Sequence, residues 1–232
     1  MRQKIDCFLP CERMEELEPM IETLRQSKTI QHIHLLVSAD FAAANPVPDN
    51  CTLVVIDRLQ SSGTMLAIEE NTSADYVLLN LKASPADLGQ YALDRMLAAA
   101  VDSDAQLLYS DHYSMEQGVR VKHPVIDYQL GSVRDDFDFG SLVLIKASAL
   151  HAYAQSQDHD KEGLSYAGFY DLRLFLSRHG DVFHLNEYLY TELELDTRKS
   201  GEKQFDYVNP RNREVQVEWS RWSPVTFQNS VR

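Results

Sequence analysis

Between residues 5 and 109 the apolar residues switch repeatedly from one period to another, and this constrains the fold more than any other feature of the chain. Residues 5–9, 33–37, 52–56, 76–79 and 105–109 are short, nearly continuous apolar runs of strand length. Between them apolar residues recur at helical spacing, as in Met14, Leu17, Met20, Ile21 and Leu24, or Tyr91, Leu93, Met96, Leu97 and Ala100. Such strand–helix alternation predicts an α/β fold, a Rossmann-like mixed, mostly parallel sheet with helices on both faces. The run 52–56 is β-branched and continuously apolar, so it is expected as an interior strand. Pro19 either kinks the first helix or marks a first turn near Glu18. Residues 42–50, with Pro46 and Pro48, read as a loop.

The second half is less regular. Strands are expected over 119–121 and 141–145, helices over 147–153 and 170–179, and a polar loop over 155–163. Gly180 is expected to stop the last helix as a left-handed cap. After Leu195 the chain becomes charged, which divides it into a domain over 1–195 and a polar extension or linker over 196–232.

With 232 residues, 44% of them hydrophobic, the chain can bury a full core. Its net charge of -13 repels phosphate backbones, so nucleic acid is not an expected partner. Three cysteines, without a Cys-x-x-Cys pair, make neither a disulfide scaffold nor a zinc finger. No apolar run reaches the ~18 residues of a membrane span, and residues 1–9 do not form a secretory leader. A cytoplasmic protein is expected, free in solution or peripheral to the inner face of a membrane.

In open α/β sheets ligands bind beyond the carboxyl ends of the strands. The first such turn is Leu9-Pro10-Cys11-Glu12-Arg13. It holds no glycine, so neither a dinucleotide fingerprint nor a P-loop can be built there. No Gly-x-Ser-x-Gly elbow occurs either. The densest acidic stretch runs from Arg134 to Gly140, and an extended segment would aim Asp136 and Asp138 to one side, able to share a metal or a pair of sugar hydroxyls. The alternative is a solvated turn with Arg134 as counter-charge. Asp111 and His112 follow the fifth strand and pair a carboxylate with an imidazole, suited to metal or acid–base work or to capping a strand end. Asp171 opens a helix, where it complements the dipole whatever else it does. Lys82, just past the fourth strand, could meet a phosphate or lie on plain surface.

The order of these segments resembles a family 2 glycosyltransferase with a GT-A fold, over approximately residues 4–195. Residues 5–13 resemble that family's opening strand and Pro-Cys-Tyr-Asn turn, 33–40 its second strand, and 74–79 the strand leading to its metal-binding Asp-x-Asp. Residues 139–150 resemble its glycine-serine strand and following helix, 170–180 the helix that carries the base, and 186–190 the strand after it. The resemblance implies a nucleotide-diphosphate sugar as donor, bound near Pro10, Cys11, Arg13, Asp40, Asn80 and Lys82, and a glycan or lipid-linked acceptor. In the family a divalent metal, Mg2+ or Mn2+, bridges the diphosphate. Here the letters differ: the paired aspartates read Ser38-Ala39, the Asp-x-Asp reads Asn80-Leu81-Lys82, and the base position is Phe169. Residues 204–216 resemble the connector of tandem-domain relatives, which implies a second glycosyltransferase domain as partner.

Three functions follow as expectations. The first is an inverting sugar transferase in which Lys82 meets the diphosphate in place of metal and Asp136 or Asp138 serves as base. The second is a catalytically inactive module of the same fold that binds a glycan or a partner enzyme. The third is a nucleotidyltransferase-like enzyme using Asp111 and Asp136.

Overall fold

The computed structural model describes residues 3–129, 137–156 and 163–193. The elements in chain order are β1 (Ile5–Pro10), α1 (Met14–Gln26), β2 (Ile30–Val37), α2 (Ala39–Ala44), β3 (Cys51–Val55), α3 (Ser62–Glu70), β4 (Tyr76–Asn80) and β5 (Ala86–Leu88). There follow α4 (Ala92–Ser103), β6 (Leu107–Glu116), β7 (Val119–His123), β8 (Leu142–Lys146), α5 (Ala147–Gln155), α6 (Gly168–His179) and β9 (Val182–Glu192). The nine strands form one mixed sheet in the order β3-β2-β1-β4-β8-β6-β9-β5, with β7 paired to β6. β1 runs parallel to β2 and β4, β2 to β3, and β6 to β9, while β8 is antiparallel to both β4 and β6. The fold is the α/β sheet with helices on both faces that the apolar periods predict.

Alternation along β1 divides the core. Ile5, Cys7 and Leu9 face α1 and α4, packing with Leu17, Ile21, Leu24 and Met96. Phe8 faces the other way, into the layer of α3, α5 and α6 with Met65, Ile68, Leu150 and Phe175. Full burial of each such side chain is worth roughly 1.5–3 kcal/mol, so two stripes on opposite faces of one sheet hold the helices in place. The chain proceeds outward from β1 to β2 and β3, then returns to place β4 on the other side of β1. That reversal is the switch point at which open α/β sheets form a crevice, beyond Pro10 and Asn80 at the carboxyl ends of β1 and β4.

Several local expectations are corrected. Helix α1 begins at Met14 and runs through Pro19. The carbonyl that Pro19 cannot bond belongs to Glu15, and both residues are exposed, so water can serve it. Part of the 42–50 loop is helical, because the Ser38 hydroxyl accepts from Phe41 N–H and caps α2. β3 is an edge strand rather than an interior one, with Val54 buried and Val55 exposed. A continuous apolar run reports one covered face as readily as two. Tyr91 is exposed at the N-cap of α4 and does not belong to its buried stripe. β6 runs to Glu116, well past residue 109. Gly180 does end α6, but with φ 171 it is extended, not left-handed. Close approach explains the glycine: a Cβ there would lie 2.4 Å from Gln106 Cγ. No helix among the described residues is long and apolar enough to cross a membrane. The proposed boundary at 195 and the extension 196–232 lie outside the described residues.

Candidate functional site

Asn80, Leu81 and Lys82 leave β4 at the crevice. Leu81 N–H donates to Ser141 O at 2.7 Å, which ties this turn to the start of β8. Asn80 is fully buried; its amide donates to Ser84 O at 3.0 Å and its oxygen accepts from Lys82 N–H at 3.2 Å. Its polar atoms therefore hold the turn. The Lys82 ammonium reaches across to the end of β9 and donates to both Glu192 oxygens at 2.8 Å. Glu192 also lies 3.4 Å from Nε2 of the buried His112. The His112 ring stacks between Tyr190, at 5.2 Å and 6°, and His123, at 4.5 Å and 27°. Burial lowers the His112 pKa despite the nearby Glu192.

Asp138 stands on the same rim. Its Oδ1 accepts from Gly140 N–H at 2.8 Å and its Oδ2 faces His123 Nε2 at 3.1 Å. Burial alone would raise its pKa, but the Gly140 N–H, the His123 contact and the Lys82 charge outweigh burial and leave it lowered. Asp138 is an ionised, half-exposed carboxylate. Gly140 has φ +73, and a Cβ on it would fall 2.3 Å from the Tyr190 hydroxyl. That hydroxyl accepts from Ser141 N–H and Leu142 N–H at 2.9 and 3.3 Å, so Tyr190 anchors the start of β8 from β9.

Beside this cluster is a cleft of about 350 Å³ whose lining includes Gln60, Leu81, Asp138, Tyr166, Phe169 and Arg173. Arg173 is buried, donates to Phe137 O at 3.2 Å and sits over the Phe139 and Phe169 rings at 5.1 and 5.3 Å. The wall is thus largely aromatic with one embedded cation, and among the described lining residues Asp138 supplies the carboxylate.

The residues singled out from sequence separate into groups. Pro10, Asn80, Lys82 and Asp138 share the carboxyl edge. Cys11 is buried beside them, its N–H donating to Leu36 O at 2.9 Å, and burial pushes its thiol up to about 11. Arg13 is exposed and pairs with Glu16 on α1 at 2.5 Å. Asp40 is exposed in the first turn of α2. Asp171 is buried against α5, where it accepts from the Tyr153 hydroxyl at 2.9 Å, and it does not line the cleft. Asp136 lies outside the described residues. Asp111 and His112, expected past the end of the fifth strand, lie inside β6 and are not brought together. Asp111 accepts from Val125 N–H at 2.9 Å and pairs with His184 at 3.0 Å, away from the rings around His112. The carboxylate on which the nucleotidyltransferase expectation leaned is thereby held in a buried network.

The metal of the resembled family does not fit the Asp-x-Asp position. A divalent ion of the Mg2+ or Mn2+ kind is usually held by one or two carboxylates together with the substrate's phosphates. Here one side chain is an amide held in a turn and the other an ammonium. Sequence reasoning missed Glu192, Tyr190, His123 and Arg173. The only local signal was the aromatic–acidic letters Tyr190-Thr191-Glu192, which carry no motif.

No family model matches this sequence, and no curated protein matches it. Solved structures do match the fold. One is residues 1–349 of TarS from S. aureus, a glycosyltransferase, with a TM-score of 0.52 at 12% identity over 82% of this chain. The chain spans 60% of the length of that structure. What the likeness establishes is that the chain shares the α/β fold of that structure.

Proposed function

We propose that the chain binds a nucleotide-diphosphate sugar at the carboxyl edge of β1 and β4 and transfers the sugar, with inversion, to a glycan or lipid-linked acceptor. The observation that carries this reading is one rim holding a half-exposed cation, Lys82, and an ionised carboxylate, Asp138, whose pKa the Lys82 charge helps to lower. In such a transfer the acceptor hydroxyl oxygen bonds to the anomeric carbon while the bond from that carbon to the diphosphate breaks. Asp138 takes the hydroxyl proton. Lys82 faces the negative charge that develops on the leaving diphosphate, as a fixed cation can do without metal. The Lys82 side chain is about half exposed, so its ammonium can turn from Glu192 toward a phosphate at the rim.

A second reading, a glycan- or partner-binding module without turnover, is favoured by Phe169. It fills the position of the family's base with a ring that accepts no proton. Calorimetry and thermal shift with UDP, GDP and CDP sugars, with and without Mn2+, separate the two. On the first reading one nucleotide sugar stabilises the fold by about 2.7 kcal/mol at 100 times its Kd, without need of Mn2+. Lys82→Ala loses most of that gain, and Asp138→Asn keeps binding but loses transfer. No stabilisation by any nucleotide would leave the binding module standing, and unchanged affinity in Lys82→Ala would remove the role given to this lysine.

A further inference from the structure

The opposite end of the sheet carries a second cluster, independent of the cleft. Asp6 on β1 is in register with His32 on β2, and His34 lies two residues along the same strand. A period of two puts His32 and His34 on one face, and Asp6 points to that face between the strands. Asp6 is fully buried and held rigidly: its Oδ2 accepts from Ser73 N–H at 2.7 Å, Ser73 Oγ at 3.1 Å and Ala74 N–H at 2.9 Å. That leaves Oδ1 facing His32 Nδ1 at 3.1 Å. Side-chain ligand atoms of Asp6, His32 and His34 all lie within 4.8 Å of one another.

His34 is the anomaly. It is 6% exposed, and neither ring nitrogen has a hydrogen-bond partner among the described residues. A neutral imidazole always carries one N–H donor, and leaving such a group buried and unsatisfied costs about 1–3 kcal/mol. Its stacking on Phe8, at 4.5 Å and 12°, would be served as well by a phenyl ring. A nitrogen lone pair beside a buried carboxylate and a second imidazole is explained by a ligand those atoms share.

We propose that Asp6, His32 and His34 bind one divalent transition-metal ion of the Zn2+ class. Two imidazoles and a carboxylate suit Zn2+, Co2+ or Ni2+, whereas Mg2+ and Ca2+ take oxygen shells. Metal–ligand bonds of about 2.0–2.2 Å fit within the observed spacing after small side-chain rotations. The ion takes the place of the hydrogen bond between His32 and Asp6, and the Ser73 and Ala74 N–H groups orient the carboxylate from behind. His32 has a half-exposed side chain, so it gives the ion a way in and leaves the fourth position to water. Bound there, the ion pins β1, β2 and the turn between α3 and β4.

The test is titration of the full chain with Zn2+ against a chromophoric chelator, paired with the visible absorption of added Co2+. Wild type takes up one ion and gains thermal stability from it. His32→Ala, an exposed change that spares the core, lowers affinity at least roughly tenfold, as does His34→Phe, which keeps the stack on Phe8. His151→Ala, at an unrelated surface histidine paired with Glu69, changes nothing. A wild type that takes up no ion, or uptake that survives in His32→Ala, would overturn the site. If His34→Phe does not fold, the His32→Ala result decides alone.

Discussion

Gly140 joins the fold to the rim, and Gly140→Ala is the sharpest probe of both. Its φ of +73 is left-handed, which costs a residue with a Cβ about 1–2 kcal/mol. The added methyl would lie 2.3 Å from the Tyr190 hydroxyl and 3.2 Å from His112 Nδ1. Tyr190 has no free space in which to retreat: it is fully buried, stacked on His112, and bonded to the N–H groups of Ser141 and Leu142. Moving it by about 1 Å sacrifices both hydrogen bonds, at roughly 0.5–1.5 kcal/mol each. Together the substitution is expected to cost about 2–5 kcal/mol. For a chain of this length that corresponds to a Tm lower by about 5–15 °C, readable in thermal or urea melts. Tyr190→Phe removes the oxygen that the methyl strikes, so the double variant should be more stable than the sum of the single losses predicts. A coupling of at least about 1 kcal/mol is expected from that cycle. Gly140→Ala within about 0.5 kcal/mol of wild type, or a strictly additive cycle, would refute the packing described here.

Two further outcomes are expected. Asp138 has a lowered folded pKa, so the stability it contributes is present above the ordinary aspartate range and lost as pH falls through the folded value. The margin of wild type over Asp138→Asn in urea melts should therefore shrink as the pH falls below the ordinary aspartate range. Burial raises all three cysteine thiols, but Cys7 and Cys11 are enclosed, whereas Cys51 is half-buried beside Arg25, which partly offsets its shift. An aromatic disulfide reagent at pH 8 should titrate one thiol quickly, and Cys51→Ser should abolish that fast phase.

The strands from β1 to β4 and the helices α1 and α4 were legible because hydrophobic period is a local property, written within a dozen residues. Where the period failed, a polar or geometric detail had overruled it. The Ser38 hydroxyl capped a short helix in what reads as a loop, and water-exposed Pro19 sat harmlessly inside α1. β3 was misplaced for a different reason: nothing in 52–56 says how many neighbours a strand will have. That follows from the chain crossing back to set β4 beside β1.

The candidate site divides the same way. From its letters alone the chain already excluded a glycine cradle at the first turn, a disulfide scaffold and an Asp-x-Asp at the end of the fourth strand, because each of these is a matter of which residues are neighbours along the backbone. Letters could also place Lys82 and Asp138 near strand ends. Topology alone brought Glu192 onto Lys82 from 110 residues away, through the antiparallel pairing of β5 with β9 that sets Ala86 opposite Glu192. It also set Tyr190 over Gly140 and closed Asp6, His32 and His34 into one cluster. Each of these polar contacts is worth on the order of 1 kcal/mol, too little to shape the chain. They form where burial of the two apolar layers has already carried their residues, and so they are visible only in three dimensions.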